Sequence, residues 1–317
     1  MLDESSLVSV LIPVKNSAQW IEFTIQSVFN QTYKNIEIII VDDDSTDGTA
    51  EIVNRFACPT LRLIRSTGKG AAAARNCAFA ASSGSYVQFL DADDLISPDK
   101  ISTQINRLRA APDAIAMCPW GRFANSPKLV KLCPTGTWQD LSPVDWLVEN
   151  WAQGAGMFCT HMWLLPRAVI LKAGLWREDL SLNDDGEFFT RIVLASSGVL
   201  FCPDATAYYR SGNTGTLSGL RSADGWRSGF EAIRSCIEVT RKVEDSERVR
   251  RCGSLLWQVY AHSAYPHQRS LANEALQKAQ ELHDIQIEPD GGKVFHLASA
   301  MLGWKAARVL QKWSGRA

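Results

Sequence analysis

Four short apolar runs, Val8 to Val14, Ile36 to Val41, Leu61 to Ile64 and Tyr86 to Leu90, alternate with helical patterns through the first hundred residues. Trp20, Ile21, Thr24, Ile25, Val28 and Phe29 recur at helical spacing after the first run, as do Ile52, Val53 and Phe56 after the second. Continuous apolar runs suit strands buried on both faces, and helices of this length are the crossovers that parallel strands need. The alternation implies an α/β fold, a doubly wound, mainly parallel sheet flanked by helices. In such sheets ligands bind beyond the carboxyl ends of the strands, where the turning loops open a crevice.

Two acidic clusters fall at those ends. Asp42-Asp43-Asp44 follows the second strand, and Asp91, Asp93 and Asp94 follow the fourth. Aspartate is a poor strand former, so both clusters read as the rim of a cleft. Such a rim can hold a hard divalent cation and leave positions on the ion for phosphate oxygens, which points towards nucleotide chemistry. Each cluster also has a structural reading. Asp91 to Asp94 can be an acidic turn before a helix capped by Ser97 with Pro98 at its first position. Asp44 to Asp47 can cap a helix starting near Thr49, a role that suits Asp47 best. Gly68-Lys69-Gly70 lacks the full spacing of a phosphate loop and reads as a flexible loop.

Five segments carry a family resemblance: Val10-Leu11-Ile12-Pro13-Val14-Lys15-Asn16, Gln31-Thr32-Tyr33, Val41-Asp42-Asp43-Asp44-Ser45-Thr46-Asp47, Ala74-Arg75-Asn76 and Leu90-Asp91-Ala92-Asp93-Asp94. In this order they resemble the signatures of family 2 glycosyltransferases. The resemblance implies a nucleotide-diphospho-sugar-binding fold of the GT-A type. It implies that Pro13, Val14 and Asn16, with Asp42 or Asp43, hold the base and ribose of a nucleotide-sugar donor, and that Ala92 lies against that donor. It assigns Asp91 and Asp93 to Mg²⁺ or Mn²⁺ at the diphosphate. The chemistry is coherent, because a diphosphate leaving group develops negative charge that a cation stabilises. Asp44 stands where the family usually has glycine, a departure expected to alter the turn. Arg75 either touches donor phosphate or pairs with Asp91, with an exposed helix face as the structural alternative.

Further along, Leu182-Asn183-Asp184-Asp185-Gly186-Glu187-Phe188-Phe189-Thr190-Arg191 resembles the family's Glu-Asp-x-Asp segment. That match makes Asp185 the catalytic base and Asp184 its support. Asp184 replaces the usual Glu, and Glu187 the usual Asp. Independently, Asp184 and Glu187 flank a helix start, whose amide dipole favours carboxylate anions; plain N-terminal capping is the alternative. Tyr208-Tyr209-Arg210 with Leu217-Ser218 resembles the family's Tyr-x-Arg segment. Gly212 stands where a histidine often follows, so water or donor oxygens are expected to complete the metal shell. His161, amid apolar residues, reads as structural. Trp120, Trp138, Trp146, Trp151, Trp163 and Trp176 are dense, and indoles stack on sugar rings. About two-thirds of them are expected in the core and the rest in an acceptor groove.

The 317 residues accommodate a catalytic unit over 1–218, with donor half 1–100 and acceptor half 101–218, and a helical extension over 219–288. Pro289-Asp290-Gly291-Gly292 breaks the chain before a tail over 289–317. A net charge of -1 argues against nucleic acid as a partner. Eight cysteines without Cys-x-x-Cys pairs argue against zinc and disulfide frameworks and fit a reducing compartment. The acidic, polar start, Met1 to Ser6, is unlike a leader, and no run is long enough to span a membrane. A cytoplasmic location is expected, with peripheral attachment to the inner face of the plasma membrane. The tail motivates the attachment: after Asp290 it has five Lys or Arg and no acid, with apolar residues at helical spacing. That pattern suits a helix over 293–317 lying on an anionic membrane, or one docked on the domain or at a dimer contact.

The expected function is an inverting hexosyltransferase moving a sugar from a nucleotide-diphosphate donor, UDP by family habit, to a hydroxyl of a saccharide or lipid-linked acceptor. Polysaccharide or glycoconjugate synthesis would use such an enzyme. A sugar nucleotidyltransferase is the alternative, but it needs a glycine-rich basic loop where this chain has Pro13-Val14-Lys15-Asn16-Ser17. A non-catalytic nucleotide-sugar-binding protein would tolerate loss of Asp185 or Asp93, and both are present.

Overall fold

The computed structural model describes residues 6–132, 134–152, 154, 156, 159–212 and 222–313; Leu217 and Ser218 lie outside the described residues. Strands β1 (Val8–Val14), β2 (Ile36–Asp42), β3 (Leu61–Arg65) and β4 (Tyr86–Phe89) alternate with helices α1 (Ile21–Phe29), α2 (Thr49–Asn54) and α3 (Ala71–Ala81). All four strands are parallel, in the order β4-β1-β2-β3, with Val14 beside Asp42 at the carboxyl ends. Their β-branched side chains are buried along β1 and β2, as expected for a sheet covered on both faces.

After β4 the simple alternation stops. The chain continues through β5 (Leu95–Ile96), α4 (Lys100–Leu108), β6 (Ile115–Met117), β7 (Trp120–Phe123), β8 (Lys131–Leu132) and α5 (Pro143–Trp151). Next come β9 (Trp163–Pro166), α6 (Arg167–Ala173), α7 (Asp184–Ala195), β10 (Val199–Phe201) and β11 (Ala207–Arg210). The main sheet has seven strands, β10-β6-β9-β4-β1-β2-β3, and β9 runs antiparallel to both its neighbours. A second sheet, β5-β11-β7-β8, stands beside the loop that follows β4.

Four of the six tryptophans between residues 120 and 176, Trp146, Trp151, Trp163 and Trp176, are buried. Trp120 and Trp138 are half-buried. The expected cap at Ser97 is corrected. Helix α4 starts at Lys100 with Asp99 before it, while Ser97 exchanges two hydrogen bonds with Thr206. The edge of β5 captures Ser97 before a helix can start there.

The remaining helices are α8 (Ala223–Val243), α9 (Glu247–Ala264), α10 (Arg269–Leu282), α11 (Lys293–Leu302) and α12 (Trp304–Trp313). On these helices Phe230, Ile237, Leu255 and Leu256 are buried. Trp226, Ile233 and Val259 are instead half-buried around a cavity. The tail expected as one helix is two, because Gly303 ends α11 at a φ of 78°, where side-chain-bearing residues are strained. One face docks: Trp304 packs on His262 and Tyr265, and Lys312 Nζ donates to the Pro266 carbonyl at 2.8 Å. The other face exposes Val294, Leu297, Met301 and Leu302. Among the described residues no helix is long and apolar enough to cross a membrane.

Candidate active site

The parallel strands aim the loops after β1, β2 and β4 into one crevice. Asp43 is buried at the end of β2; its carboxylate accepts from Lys15 Nζ and from the Gly70 N–H, both at 3.1 Å. The loop at Gly68 to Gly70 is therefore tied to the acidic cluster. Asp42 Oδ1 accepts from the Ser45 N–H at 3.0 Å and Asn16 Oδ1 from the Thr46 N–H at 2.8 Å, so both side chains brace the rim. Asp44 has a φ of 58°. The turn keeps the left-handed geometry a glycine would give, at a cost Asp tolerates better than most residues. Asp47 behaves as a cap, accepting from the Thr49 and Ala18 N–H groups at 3.2 and 3.0 Å. Pro13 and Val14 form the carboxyl end of β1, and Ala92 is buried within the loop after β4.

Arg75, buried on α3, joins the two halves of the chain. One guanidinium nitrogen donates to Asp91 Oδ1 at 2.8 Å and another to Asp184 Oδ2 at 3.0 Å. The group lies 4.4 Å above the Trp176 ring, and its Nε has no partner. Trp176 is fixed by Asn76, whose side-chain amide exchanges hydrogen bonds with the Trp176 main chain at 2.9 and 3.0 Å. Phe188 stacks under Trp176 at 4.0 Å, and Phe89 meets both rings edge-on. An aromatic floor thus sets the guanidinium at a fixed height, and of the readings of Arg75 the pairing with Asp91 is present.

The electrostatics follow from this arrangement. Burial pushes the Asp91 carboxyl up, but the Arg75 charge and hydrogen bond outweigh it and hold the group below its ordinary value. Asp185 has no such partner. Burial first, and then the neighbouring Asp184 charge, push its carboxyl up to about 7. Asp185 accepts from the Gly186 N–H at 2.8 Å, at the N-terminus of α7. Glu187 serves the scaffold: buried, it takes a two-pronged pair from Arg191 at 2.9 and 2.7 Å and a hydrogen bond from Ser235.

The acidic loop is held from below. Asp94 and His161 form a fully buried pair at 3.1 Å. Burial alone would depress the His161 imidazole, yet Cys159 and Asp94 beside it raise it well above its ordinary value. Arg210 donates its N–H to Asp94 Oδ1 at 2.7 Å and its Nε to the Asp93 carbonyl at 2.8 Å, with its guanidinium between Trp20 and Phe123. The roles of Asn76, His161 and Trp176 in placing the carboxylates were not evident from the sequence. Their only signal was a polar residue beside an acidic or basic motif, or an isolated histidine in apolar surroundings.

Among the described residues no three His, Cys, Asp or Glu side chains group into a metal cage. A small hard cation held by one or two carboxylates completes its shell with phosphate oxygens and water and needs no such cage. Asp91 and Asp93 fit that limited donor set.

Residues 9–172, just over half of the chain, match Glycosyl transferase family 2. The chain belongs to that family. It is a glycosyltransferase, 26% identical over 294 residues to glycosyltransferase GlyG of Streptococcus pneumoniae serotype 4, covering 89% of this chain and 94% of that protein. Over 101 residues, 32% of this chain and 40% of the relative, it is 48% identical to the Escherichia coli UDP-Glc:alpha-D-GlcNAc-diphosphoundecaprenol beta-1,3-glucosyltransferase WfaP. The crystal structure of S. aureus TarS 1-349 in complex with UDP-GlcNAc superposes with a TM-score of 0.70 over 98% of this chain and 92% of that one, at 15% identity. At that identity the likeness concerns the fold, and the glycosyltransferase has the GT-A architecture.

Proposed function

We propose that this glycosyltransferase moves a hexosyl group, with inversion, from a UDP-sugar to a hydroxyl of a saccharide carried on a lipid diphosphate. The observation that carries the reading is Arg75, which joins the acidic loop after β4 to the carboxylates that open α7. A diphosphate-binding loop and a carboxyl raised to about 7 thereby share one site.

Asp185 is the base. It takes the acceptor hydroxyl proton while that oxygen attacks the anomeric carbon from the face opposite the leaving diphosphate. A diphosphate leaves as an anion and needs no proton, so one carboxylate suffices where a glycosidase uses two. The charge of Asp184, which pairs with Arg75, helps to hold the Asp185 carboxyl up. The free Nε of Arg75 offers a further donor to a diphosphate oxygen. Asp43 and the end of β1 line the base and ribose side. Asp91 and Asp93 would hold Mg²⁺ or Mn²⁺, which when bound supplies charge neutralisation at the diphosphate. The donor and acceptor in the name of the E. coli relative, and UDP-GlcNAc in the TarS complex, support the substrate classes. A lipid-borne acceptor places the work at a membrane surface, which the exposed apolar row and basic residues of the tail would suit.

A panel of UDP-sugars offered with lipid-diphosphate saccharides, read by UDP release and proton NMR of the product, tests the reading. The product should have the opposite anomeric configuration to the donor, and Asp185→Asn should lower kcat about a hundredfold or more with UDP affinity unchanged. Retained configuration would sink the mechanism. For the cation, calorimetry of UDP with and without Mn²⁺ should show that Asp93→Ala loses the metal dependence; metal-dependent affinity equal to wild type rejects the assignment.

A further inference from the structure

A cavity of about 240 Å³ lies among α5, α7, α8 and α9, against the two residues that flank the paired carboxylates, Asn183 and Gly186. Its walls are mostly apolar and include Trp151, Leu182, Trp226, Ile233 and Tyr260. It is joined rigidly to the base. Ser228 on α8 accepts from the Ser181 and Leu182 N–H groups at 2.8 and 2.9 Å, pinning the segment that leads into α7. Asn183 holds a φ of 60°, and its side chain packs so closely on Gly186 that an added Cβ there would lie 2.4 Å away.

One polar group bears on what would fill this space. Trp226 is a wall of the cavity, and its buried indole N–H has no hydrogen-bond partner. A buried donor left unpaired is costly, so an acceptor oxygen placed against the Trp226 N–H would be stabilised there. Apolar walls exclude a ring that presents hydroxyls on every side, because each hydroxyl would need a partner of its own. The space is smaller than the usual range for whole ligands, so it suits one substituent of a sugar.

We propose that this cavity is part of the acceptor site and takes the acetamido group of a 2-acetamido sugar, its methyl among the apolar side chains and its carbonyl oxygen facing the Trp226 N–H. The proposal rests on the glycosyltransfer reading above, for which Asp185 beside the cavity is the base. It makes Trp226 and the small residue Gly229 on α8 determinants of acceptor choice. A Cβ at Gly229 would meet Tyr260 and Leu182, two walls of the cavity, at 3.6 and 3.7 Å, which is ordinary contact. Gly229→Ala therefore occupies cavity space without a clash and favours the helix.

The test uses the full chain with UDP and the methyl glycosides of N-acetylglucosamine, N-acetylgalactosamine, glucose and galactose. In saturation-transfer NMR the acetamido methyl should receive the strongest transfer, and titration should show the acetamido sugars binding about tenfold more tightly than their hydroxyl counterparts. Trp226→Phe, which keeps an aromatic ring and removes the N–H, should erase most of that preference. Gly229→Ala should weaken acetamido binding about tenfold, with circular dichroism and UDP affinity as in wild type. Equal binding of the two sugar classes, or acetamido binding unaffected by Gly229→Ala, overturns the assignment. Failure of the wild-type protein to bind UDP would count separately, against the donor reading.

Discussion

Arg75 is where the two halves of the site meet, and its two bonds explain why neighbouring carboxylates behave differently. Asp91 and Asp184 each receive a guanidinium N–H, whereas Asp185 is enclosed beside the Asp184 charge. A base must be deprotonated to act, and Asp185 takes up its proton as the pH falls through about 7. We therefore expect kcat/KM, which reports the free enzyme, to be level above that pH and to fall below it in proportion to the ionised fraction. In Asp185→Asn the residual rate should show no such fall. A wild-type profile level down to pH 5 would remove Asp185 from the role.

At the scale of elements, the acidic loop is stiff because several segments converge under it. Thr24 on α1 lies 2.8 and 3.0 Å from the Ala92 and Asp94 carbonyl oxygens, and Arg210 on β11 grips Asp93 and Asp94. The short helical turn Thr160–Met162 supplies His161 to Asp94. That turn is itself held by Gln88 on β4, which donates to the His161 carbonyl at 3.2 Å, and by Gln104 on α4, which donates to that of Met162 at 2.8 Å. The buried Lys100 links both glutamines. Breaking a buried pair strands a charge, so His161→Ala should cost about 3–5 kcal/mol of stability in urea unfolding. A loss below about 1 kcal/mol would mean that the pair is not a keystone of the loop.

For the whole molecule, the tail has two faces with different fates. Trp304, Ala307 and Phe295 turn inwards, while Leu297 and Met301 are 66% and 75% exposed on the helix that Lys293 opens. Such a row buries apolar area in a lipid interface, and Lys293 adds attraction to anionic headgroups. The double variant Leu297→Glu with Met301→Glu touches no docked side chain. It should co-sediment with anionic liposomes several-fold less than wild type, at equal thermal stability and with UDP binding retained. Equal co-sedimentation of both forms would reject the membrane role.

The first hundred residues were largely legible as sequence because their information is local and periodic. β-Branched apolar runs suit strands buried on both faces, and the helical patterns between them implied parallel pairing, while the order β4-β1-β2-β3 is seen only in the folded chain. The acidic clusters were legible for the same reason, since a strand end places them at the mouth of a crevice. Past β4 the runs are short, so neither the reversal of β9 nor the capture of Ser97 by Thr206 has a periodic signal. The tail's apolar spacing was visible, but its bend at Gly303 and its docked face depend on α9 and α10. What tertiary structure alone decided is the pairing of charges: Arg75 and Asp184 are 109 positions apart. Which carboxylate receives a guanidinium and which is left enclosed sets their proton affinities, and that is a property of three-dimensional proximity and burial, not of residue type.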